Sequence, residues 1–440
     1  MKISKLHINQ FRHLENLDFD FTYPEDFHIE EKRGKPLEKI CFIGQSATGK
    51  TGLLELIYQE SYRLQKAVRF EEIPEHKTLN FNESRGVITF ATDIVNQIFE
   101  IEKTNQDAIF YQLHTKKNFS EKEIEELIPF KEELNLLYFK ANLISEANID
   151  IFTKNPIDLI EAYRKNTEVN IENLLDKRSF SNRNLVFNDN VNPNIWLYLL
   201  SEILEYRKNF TQRISELIHI KDGSVDLSNL GSEIQKWQID NPNKVELFAE
   251  KFNPILKKLS LEIDIVNTLY PIPIKNKKTN VSIPIESAST GTKGLLLSFL
   301  PLYKLNTKDS IILIDEPERS LYPDMQMDLM DYYKNLAPEA QFIVATHSPF
   351  IAASFEPEER FILHFDKEGK VQVKSGKSPI GDDPNDMLYN DFEIDYINKY
   401  GKKVYNEYLE KRRQLLFEKN EEIKQKLQDE IESIGDKYNF

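Results

Sequence analysis

Hydrophobic residues follow two different periods along this chain, and the changes between them divide it into segments. From Lys2 to Phe21 polar and apolar residues alternate, which predicts two β-strands joined near Asn9-Gln-Phe-Arg12. From about Ile149 to Leu259 apolar residues recur at helical spacing, which predicts an all-helical insertion. Three alternating runs with turn residues between them predict an antiparallel meander: Gly86–Thr92, Gln97–Glu102 and Ala108–Leu113.

Beyond Ser289 strands and helices alternate again, with helices predicted from Thr292 to Tyr303 and from Pro323 to Leu336. Two apolar runs rich in β-branched residues, Ser310–Ile314 and Gln341–Ala345, predict buried strands of a parallel sheet whose faces are covered by helices. Residues Arg360–Lys374 predict a hairpin, and the charged tail Ile397–Tyr438 predicts one or two amphipathic helices. The pattern predicts an α/β fold with a mixed sheet, flanking helices, an antiparallel β subdomain, an inserted helical domain and a C-terminal helical tail.

Composition and charge narrow the classes of protein to consider. The formal net charge is -15, from 57 basic and 72 acidic residues, which disfavours a surface that grips nucleic acid non-specifically. A local basic groove stays open, since Lys275–Lys278 could line one. The single cysteine, Cys41, excludes an intrachain disulfide and a multi-cysteine metal site. Without a signal-peptide pattern or an apolar run of about 18 residues, we expect a cytoplasmic protein that has no membrane partner.

The stretch from Gly44 to Thr51 fits G-x-x-x-x-G-K-[ST], the pattern of a loop that wraps nucleotide phosphates. An apolar strand precedes it and a helix follows it, as that loop requires. Backbone N–H groups, the helix N-terminus and the ammonium of Lys50 would all face the phosphates, and the Thr51 hydroxyl would bind a phosphate-bound Mg2+. The residues of the loop that we predict to contact nucleotide are Gly44, Gln45, Ser46, Ala47, Thr48, Gly49, Lys50, Thr51 and Gly52.

Both later apolar strands end in polar residues, at the sheet edge where ligands of open α/β sheets bind. After the first strand, Asp315 is predicted to hold Mg2+, and Glu316 is predicted to be the base that orients the attacking water. After the second, His347 could hydrogen-bond the γ-phosphate and sense its presence. The segment Ser289–Gly294 is equally consistent with a phosphate-binding helix start and with a plain capped helix.

The order of these motifs resembles that of the ABC-type P-loop ATPases, and within them the RecF, SMC and OLD branch. The resemblance implies catalytic roles for Lys50, Glu316 and His347, with ATP and Mg2+ as cofactors. It also implies that Arg12 contacts nucleotide and that the Ser289–Gly291 segment completes the active site of an opposite subunit. The segments that carry the resemblance are Ile3–Phe21, Gly44–Thr51, Ser289–Gly294, Asp315–Glu318, Leu321–Pro323 and Ala345–Phe350.

Some family features are altered here or are hard to place. The branch often has His where this chain has Tyr322, and Leu-Ser-Gly-Gly-Gln where it has Ala288-Ser-Thr-Gly-Thr. The family also uses a glutamine to couple nucleotide to its partner surface, for which Gln97 is our candidate. We divide the chain into four parts. Residues 1–145 form an N-terminal ATPase part with the P-loop and meander, and residues 146–260 form a helical insertion. Residues 261–360 form a second ATPase part with the signature segment Ser289–Gly291, the Walker B residues Asp315–Glu316 and the switch residue His347, and residues 361–440 form a hairpin with the helical tail.

Three functions are compatible with these features. The first is a stand-alone ATPase of bacterial anti-phage defence, similar to the ATPases of the Septu and retron systems, which dimerises around ATP and regulates a separately encoded effector, a nuclease or toxin. The second is a RecF-like repair ATPase that clamps DNA, and the third is a transporter subunit. The segment between P-loop and signature lacks sustained heptads, and residues 360–440 lack the carboxylates of a Toprim nuclease. We therefore expect neither a long coiled coil nor a nuclease in this chain.

Overall fold

The computed structural model of this protein describes residues 2–68, 84–91, 98–103, 109–114, 135–166, 184–218, 227–382, 384–393, 399–418 and 420–438. The chain forms two compact units, one ending at Gly381 and the other beginning at Asp382.

The strands are β1 Lys2–Phe11, β2 Leu14–Asp20, β3 Lys39–Gly44, β4 Ser84–Ala91, β5 Ile98–Lys103, β6 Ile109–His114, β7 Leu136–Phe139, β8 Asn184–Phe187, β9 Leu261–Ile263, β10 Ile274–Asn276, β11 Ser282–Ile283, β12 Ile311–Asp315, β13 Gln341–Ala345, β14 Arg360–Phe365 and β15 Val371–Ser375. The helices are α1 Lys50–Val68, α2 Glu146–Thr153, α3 Pro156–Asn166, α4 Pro193–Ile218, α5 Leu227–Asp240, α6 Lys244–Leu256, α7 Thr290–Lys304, α8 Pro323–Met327, α9 Leu329–Leu336, α10 Pro349–Ala352, α11 Pro384–Asn390, α12 Lys399–Phe417 and α13 Glu421–Tyr438.

The main sheet of the first unit has, among the described residues, seven strands in the order β15-β14-β3-β13-β12-β7-β8. Every neighbouring pair is parallel except β14 and β15, which form the predicted hairpin. Strands β12 and β13 are buried along their whole length, as expected for parallel strands with both faces covered. The α/β fold with a mixed sheet that the sequence pattern predicts is therefore confirmed.

A second, antiparallel sheet has the order β2-β1-β4-β5-β6 among the strands described. It contains the two N-terminal strands and the meander, both as predicted. Aromatic side chains of β2 and the residue after it pack this sheet onto the main one, with ring centroids 5.7 Å apart for Phe19 and Phe42 and 5.1 Å apart for Phe21 and Phe361. Strand β3, which precedes the P-loop, thus has β14 on one side, β13 on the other and the antiparallel sheet packed on one face.

The predicted all-helical insertion contains a strand, so that part of the prediction is wrong. Strand β8 lies at the edge of the main sheet and pairs in parallel with β7, from Leu136↔Asn184 to Phe139↔Phe187. The helices behind it pack through Trp196, which is fully buried against Phe187 and donates a hydrogen bond from Nε1 to Asn148 at 3.2 Å. The insertion is therefore built onto the sheet through β8.

Two other sequence predictions need correction. The hairpin β14–β15, which we grouped with the tail, belongs to the main sheet because β14 pairs with β3. The single helix predicted from Pro323 to Leu336 is divided at Asp328 into α8 and α9. The other boundaries of the four-part division stay predictions.

The second unit holds the predicted tail helices. Helices α12 and α13 run back along each other, and Lys411 of α12 pairs with Glu430 of α13 at 2.7 Å. Near the turn between them Leu416 and Phe417 are 80% and 76% exposed, so part of the predicted apolar stripe faces solvent. In the described chain no helix combines the length and apolarity needed to cross a bilayer.

Gln341 joins the two sheets through its side-chain amide. Its Oε1 accepts a hydrogen bond from Ile3 N at 2.7 Å, and its Nε2 donates to Ile3 O at 2.9 Å and to Leu37 O at 2.8 Å. All three bonds are buried, so no water can replace a lost partner. This one side chain thus satisfies the backbone at the start of β1.

We expect Gln341→Leu to lower the free energy of unfolding of the first unit by about 3 kcal/mol, since it strands buried backbone groups. Urea unfolding followed by tryptophan fluorescence measures this, because both tryptophans, Trp196 and Trp237, lie in that unit. The matched control is Gln372→Leu, at an exposed position of β15. Equal stability of the two variants would contradict the assigned role.

Candidate functional site

The loop between β3 and α1 has the backbone geometry of a phosphate-binding loop. Gly44 and Gly49 have φ of 130° and 93°, and Ala47 between them has φ of 64°. Such alternation lets successive N–H groups face one anion. The Lys50 ammonium folds back over the loop and donates hydrogen bonds to Gly44 O at 2.9 Å and to Gln45 O at 2.8 Å. The structure therefore places the predicted residues 44–52 in one turn around the N-terminus of α1.

Gly44 is required by packing as well as by the loop. A Cβ at this residue would lie 1.9 Å from the carbonyl oxygen of Leu363 in β14. The neighbouring strand thus closes against the P-loop strand at the point where the loop leaves the sheet. The sequence motif requires a glycine here because the backbone must approach a phosphate closely. The structure adds a second reason, which is the lack of space for a side chain beside Leu363.

Thr51 and Asp315 meet across the end of the sheet. The Thr51 hydroxyl donates a hydrogen bond to Asp315 Oδ1 at 3.1 Å, and Asp315 is only 7% exposed. The pKa of Asp315 is raised to about 6, mainly by burial and also by the nearby carboxylates of Glu316 and Glu318, while the Thr51 hydrogen bond opposes the rise.

This pair fits the requirements of Mg2+. The ion takes oxygen ligands and is usually held by one or two protein groups together with phosphates and water. The Thr51 hydroxyl and the Asp315 carboxylate, from two different elements, could supply these one or two protein ligands. The described part of the chain has no group of three or more His, Cys, Asp or Glu side chains placed to hold a metal ion by themselves. The residues present therefore suit an ion that arrives with nucleotide.

Glu316 and His347 follow adjacent parallel strands and lie at the same edge. Glu316 has φ of 50°, and its N–H donates to Ala345 O at 2.8 Å, so the backbone turns as soon as β12 ends. Burial lowers the pKa of His347; the charge of Lys50 lowers it further, and Glu316 opposes the shift. All three predicted catalytic side chains thus lie within electrostatic reach of one another.

Lys50 is the cation of this acidic site. Burial lowers the pKa of its ammonium to about 8, although the charges of Glu316, Asp315 and Glu318 raise it. Lys50 is 6% exposed, and its ammonium donates to the backbone oxygens of Gly44 and Gln45, so its charge would be available to a phosphate that enters the loop.

Glu318 contacts the segment that contains His347, a role that the sequence motif did not indicate. Its Oε1 accepts a hydrogen bond from the backbone N–H of His347 at 2.8 Å. This bond ties the segment after β12 to the segment after β13 and thereby positions the His347 ring. Burial raises the pKa of Glu318, and the hydrogen bond from His347 lowers it.

Arg12 lies over the first turns of α1, and its contact with nucleotide stays a prediction. It stands in the turn between β1 and β2 with φ of 56°, and its Nη2 donates to Glu55 Oε2 at 2.9 Å. A Cβ at Gly52 would lie 3.4 Å from its Nη1. Glu55 in turn pairs with Lys140, the residue after β7, at 3.2 Å. Sequence reasoning assigned no role to Glu55 or Lys140.

Ser289 is the N-cap of α7, which favours the capped-helix interpretation within one chain. Its Oγ accepts from Thr292 N at 3.2 Å, and Ser289 itself is exposed. Gly291 is buried instead, and a Cβ there would lie 2.5 Å from the carbonyl oxygen of Ser320. This glycine therefore serves packing in its own subunit, whatever it contacts in another. Gln97, the candidate coupling glutamine, lies outside the described residues.

We expect Gly291→Ala to lower the free energy of unfolding by about 2 kcal/mol, because α7 must move away from Ser320. The matched control is Gly231→Ala in α5, where a Cβ would meet nothing within 4 Å. That substitution should stabilise the chain by about 0.5–1 kcal/mol through helix propensity. Urea unfolding of both variants decides the matter, and a stabilising Gly291→Ala would refute the close contact.

The raised pKa of Asp315 makes stability depend on pH in the nucleotide-free protein. Between its ordinary value of 3.8 and about 6 the folded state binds more protons than the unfolded state, so stability falls as pH rises through this range. The loss should amount to about 3 kcal/mol. Urea unfolding of wild type and Asp315→Asn between about pH 4 and about pH 7 measures it.

Asp315→Asn should remove this part of the pH dependence, whereas Asn at the exposed Asp331 should leave it intact. Parallel pH profiles for wild type and Asp315→Asn would contradict the assignment.

Comparisons with known proteins match this chain to an ATPase family. A family model described as "AAA ATPase domain" matches residues 1–352. The chain is 26% identical over 193 residues to the retron Ec83 probable ATPase of Escherichia coli, covering 38% of this chain and 35% of that protein. It is 32% identical over 71 residues to the Septu protein PtuA of Bacillus thuringiensis, covering 16% of this chain and 18% of that protein. The chain thus matches about a third or less of the length of these relatives.

Among solved structures, the SMC head domain from Thermotoga maritima matches at 12% identity with a TM-score of 0.39, covering 86% of this chain and 100% of that one. The family match, which spans the P-loop, Asp315–Glu316 and His347, confirms the ATPase resemblance drawn from the motifs. This chain belongs to the AAA ATPase domain family.

Proposed function

We propose that this protein binds ATP with Mg2+, hydrolyses it in a dimer of two copies, and uses that cycle to regulate a separately encoded effector in prokaryotic anti-phage defence. The observation that carries the proposal is the convergence at one sheet edge of the Lys50 ammonium, the Thr51–Asp315 pair and the Glu316 and His347 side chains. These are the groups that phosphoryl transfer to water requires.

The chain's own residues would act mainly by position and charge. The P-loop N–H groups and Lys50 would hold the β- and γ-phosphates, and Thr51 with Asp315 would hold the Mg2+. The Mg2+ would polarise the γ-phosphate for attack. Glu316 would orient the attacking water and take its proton, and His347 would hydrogen-bond the γ-phosphate.

Dimerisation would complete the site from the other subunit. Ser289 is exposed at the start of the fifteen-residue helix α7, whose N-terminus carries partial positive charge. This supports a contact between the start of α7 and the γ-phosphate bound in the other copy, as in the ATPases that the motifs resemble. Gly291, buried two residues further along in the same turn, would set how closely the helix start approaches.

The defence role rests on the names of two relatives, a retron ATPase and the Septu protein PtuA. Both names belong to systems in which we expect the ATPase to act with a partner, such as a nuclease or toxin. The alternative is a RecF-like DNA clamp. The net charge of -15 weighs against it, and Lys275 in the suspected basic groove is neutralised by Glu262 at 3.3 Å.

We expect Glu316→Gln to slow ATP hydrolysis by about 100-fold or more while ATP binding is retained, because the base is lost and the phosphate contacts are not. Phosphate release and fluorescent-nucleotide binding measure the two properties. The control is Glu339→Gln, an exposed carboxylate ahead of β13. Hydrolysis at the wild-type rate by Glu316→Gln would show that another group is the base.

We also expect ATP to convert monomer into dimer and Glu316→Gln to trap the dimer, because hydrolysis would be needed to reset it. Mass measurement in solution, with and without ATP, tests this for both proteins. A mass that is the same in all four samples would contradict the switch and leave a constitutive assembly.

A further inference from the structure

Lys140 stands beside the nucleotide site although no motif points to it. It follows β7, which pairs in parallel with β12 up to Phe139↔Ile314, so the next residues along are Lys140 and Asp315. Lys140 therefore leaves the sheet at the same edge as the proposed Mg2+ ligand, one strand further from the P-loop. This is the side on which Glu316 would act, and hence the side of the γ-phosphate.

The backbone at Lys140 is held firmly. Its N–H continues the sheet by donating to Phe187 O at 2.9 Å, and its carbonyl oxygen accepts from Leu143 N at 3.0 Å. The following residue is held too, since Ala141 O accepts from Arg319 Nη1 at 2.5 Å. At Lys140 the backbone is therefore fixed, and a change of partner would involve the side chain.

Lys140 pairs with Glu55, which also holds Arg12, and its ammonium lies 5.4 Å from the centroid of the Tyr138 ring. Lys140 Nζ lies 3.2 Å from Glu55 Oε1, and Arg12 Nη2 lies 2.9 Å from Glu55 Oε2. Glu55 comes one helical turn after Thr51, whose hydroxyl binds Asp315. One carboxylate thus keeps two cations at the rim of the site, one on each of its oxygens.

These ion pairs are weak enough to exchange. The side chains of Lys140, Arg12 and Glu55 are 33%, 47% and 23% exposed, and pairs in such surroundings contribute little because water screens them. A triphosphate carries several negative charges, and charge-assisted bonds to it are stronger than those within an exposed pair. Its arrival would therefore compete with Glu55 for both cations.

We propose that Lys140 is a phosphate-binding residue for the γ-phosphate of ATP, and that Glu55 holds its ammonium in reserve while the site lacks nucleotide. The inference rests on the proposed ATP site and adds a residue to it. ADP has no γ-phosphate, so Lys140 distinguishes ATP from ADP. Removal of Glu55 removes the competitor for the cation.

The test is equilibrium binding of ATP and ADP, measured by displacement of a fluorescent nucleotide with Mg2+ and again with EDTA. Lys140→Gln is expected to weaken ATP binding about tenfold and ADP binding less than about twofold, in both conditions. Glu55→Gln is expected to strengthen ATP binding about threefold, since the ammonium no longer has to leave a carboxylate.

The matched control is Lys275→Gln. Lys275 pairs with Glu262 at 3.3 Å, and the two side chains are 23% and 27% exposed, which is close to the Lys140–Glu55 pair. This variant should bind both nucleotides as wild type does. Thermal unfolding confirms that each variant is folded, and Lys140→Met replaces Lys140→Gln if the latter is not.

Three results would overturn the inference. If wild type does not bind ATP, the proposed function fails and the inference fails with it. If wild type binds ATP but Lys140→Gln keeps the wild-type ratio of ATP to ADP affinity, Lys140 does not contact the γ-phosphate and only this inference fails. If Glu55→Gln weakens ATP binding, Glu55 orients the ammonium and does not compete for it.

Discussion

The parallel pairing of β13 between β3 and β12 is the constraint on which the candidate site depends. Its register places Ala345 beside Phe42 on one side and beside Asp315 on the other. Parallel strands end at the same edge, so the residues that follow all three emerge together. A slip of one residue would turn Asp315 into the opposite face of the sheet. The P-loop, the carboxylates and His347 therefore meet through sheet register, although they lie far apart in sequence.

That convergence has an electrostatic consequence. Several carboxylates lie around one buried ammonium, and burial is the main reason why the pKa of Asp315 rises to about 6 and that of Lys50 falls to about 8. Without a ligand this arrangement raises the free energy of the folded state, because like charges lie close together in a partly buried site. ATP with Mg2+ would bring both a cation for the carboxylates and an anion for Lys50. The binding of ATP with Mg2+ would therefore lower the electrostatic energy of this site.

Local sequence signals predicted the backbone of the candidate site where one motif contains both the residue and its turn or strand end. The P-loop turn and the strand ends at Asp315 and Ala345 are of this kind, because glycine spacing and apolar runs are visible without knowledge of the fold. Strand β8 was missed since its four residues form a strand only by pairing with β7. Asp328 divides a predicted helix for which the helical period alone gave no warning.

Contacts between distant segments were beyond the sequence patterns. Glu318 positions His347 through a hydrogen bond to its backbone, and nothing in the spacing of the two residues indicates this. Glu55 joins Arg12 to Lys140 only because a turn, a helix and a strand end meet. Gly291 illustrates the opposite case, in which the motif suggested a contact with another subunit and the structure shows a close contact with Ser320 in the same chain.

The proposed ATP site is built from two copies of the chain, so mixing two inactive variants should restore activity. Lys50→Met removes the P-loop cation, and Ser289→Arg blocks the start of α7; each protein alone should hydrolyse almost no ATP. A mixed dimer has one site in which both elements are intact, so mixing should restore about a quarter of the wild-type rate. If the mixture stays as inactive as its components, the P-loop and the start of α7 do not form one site across a dimer, and the proposed two-copy ATP site is wrong.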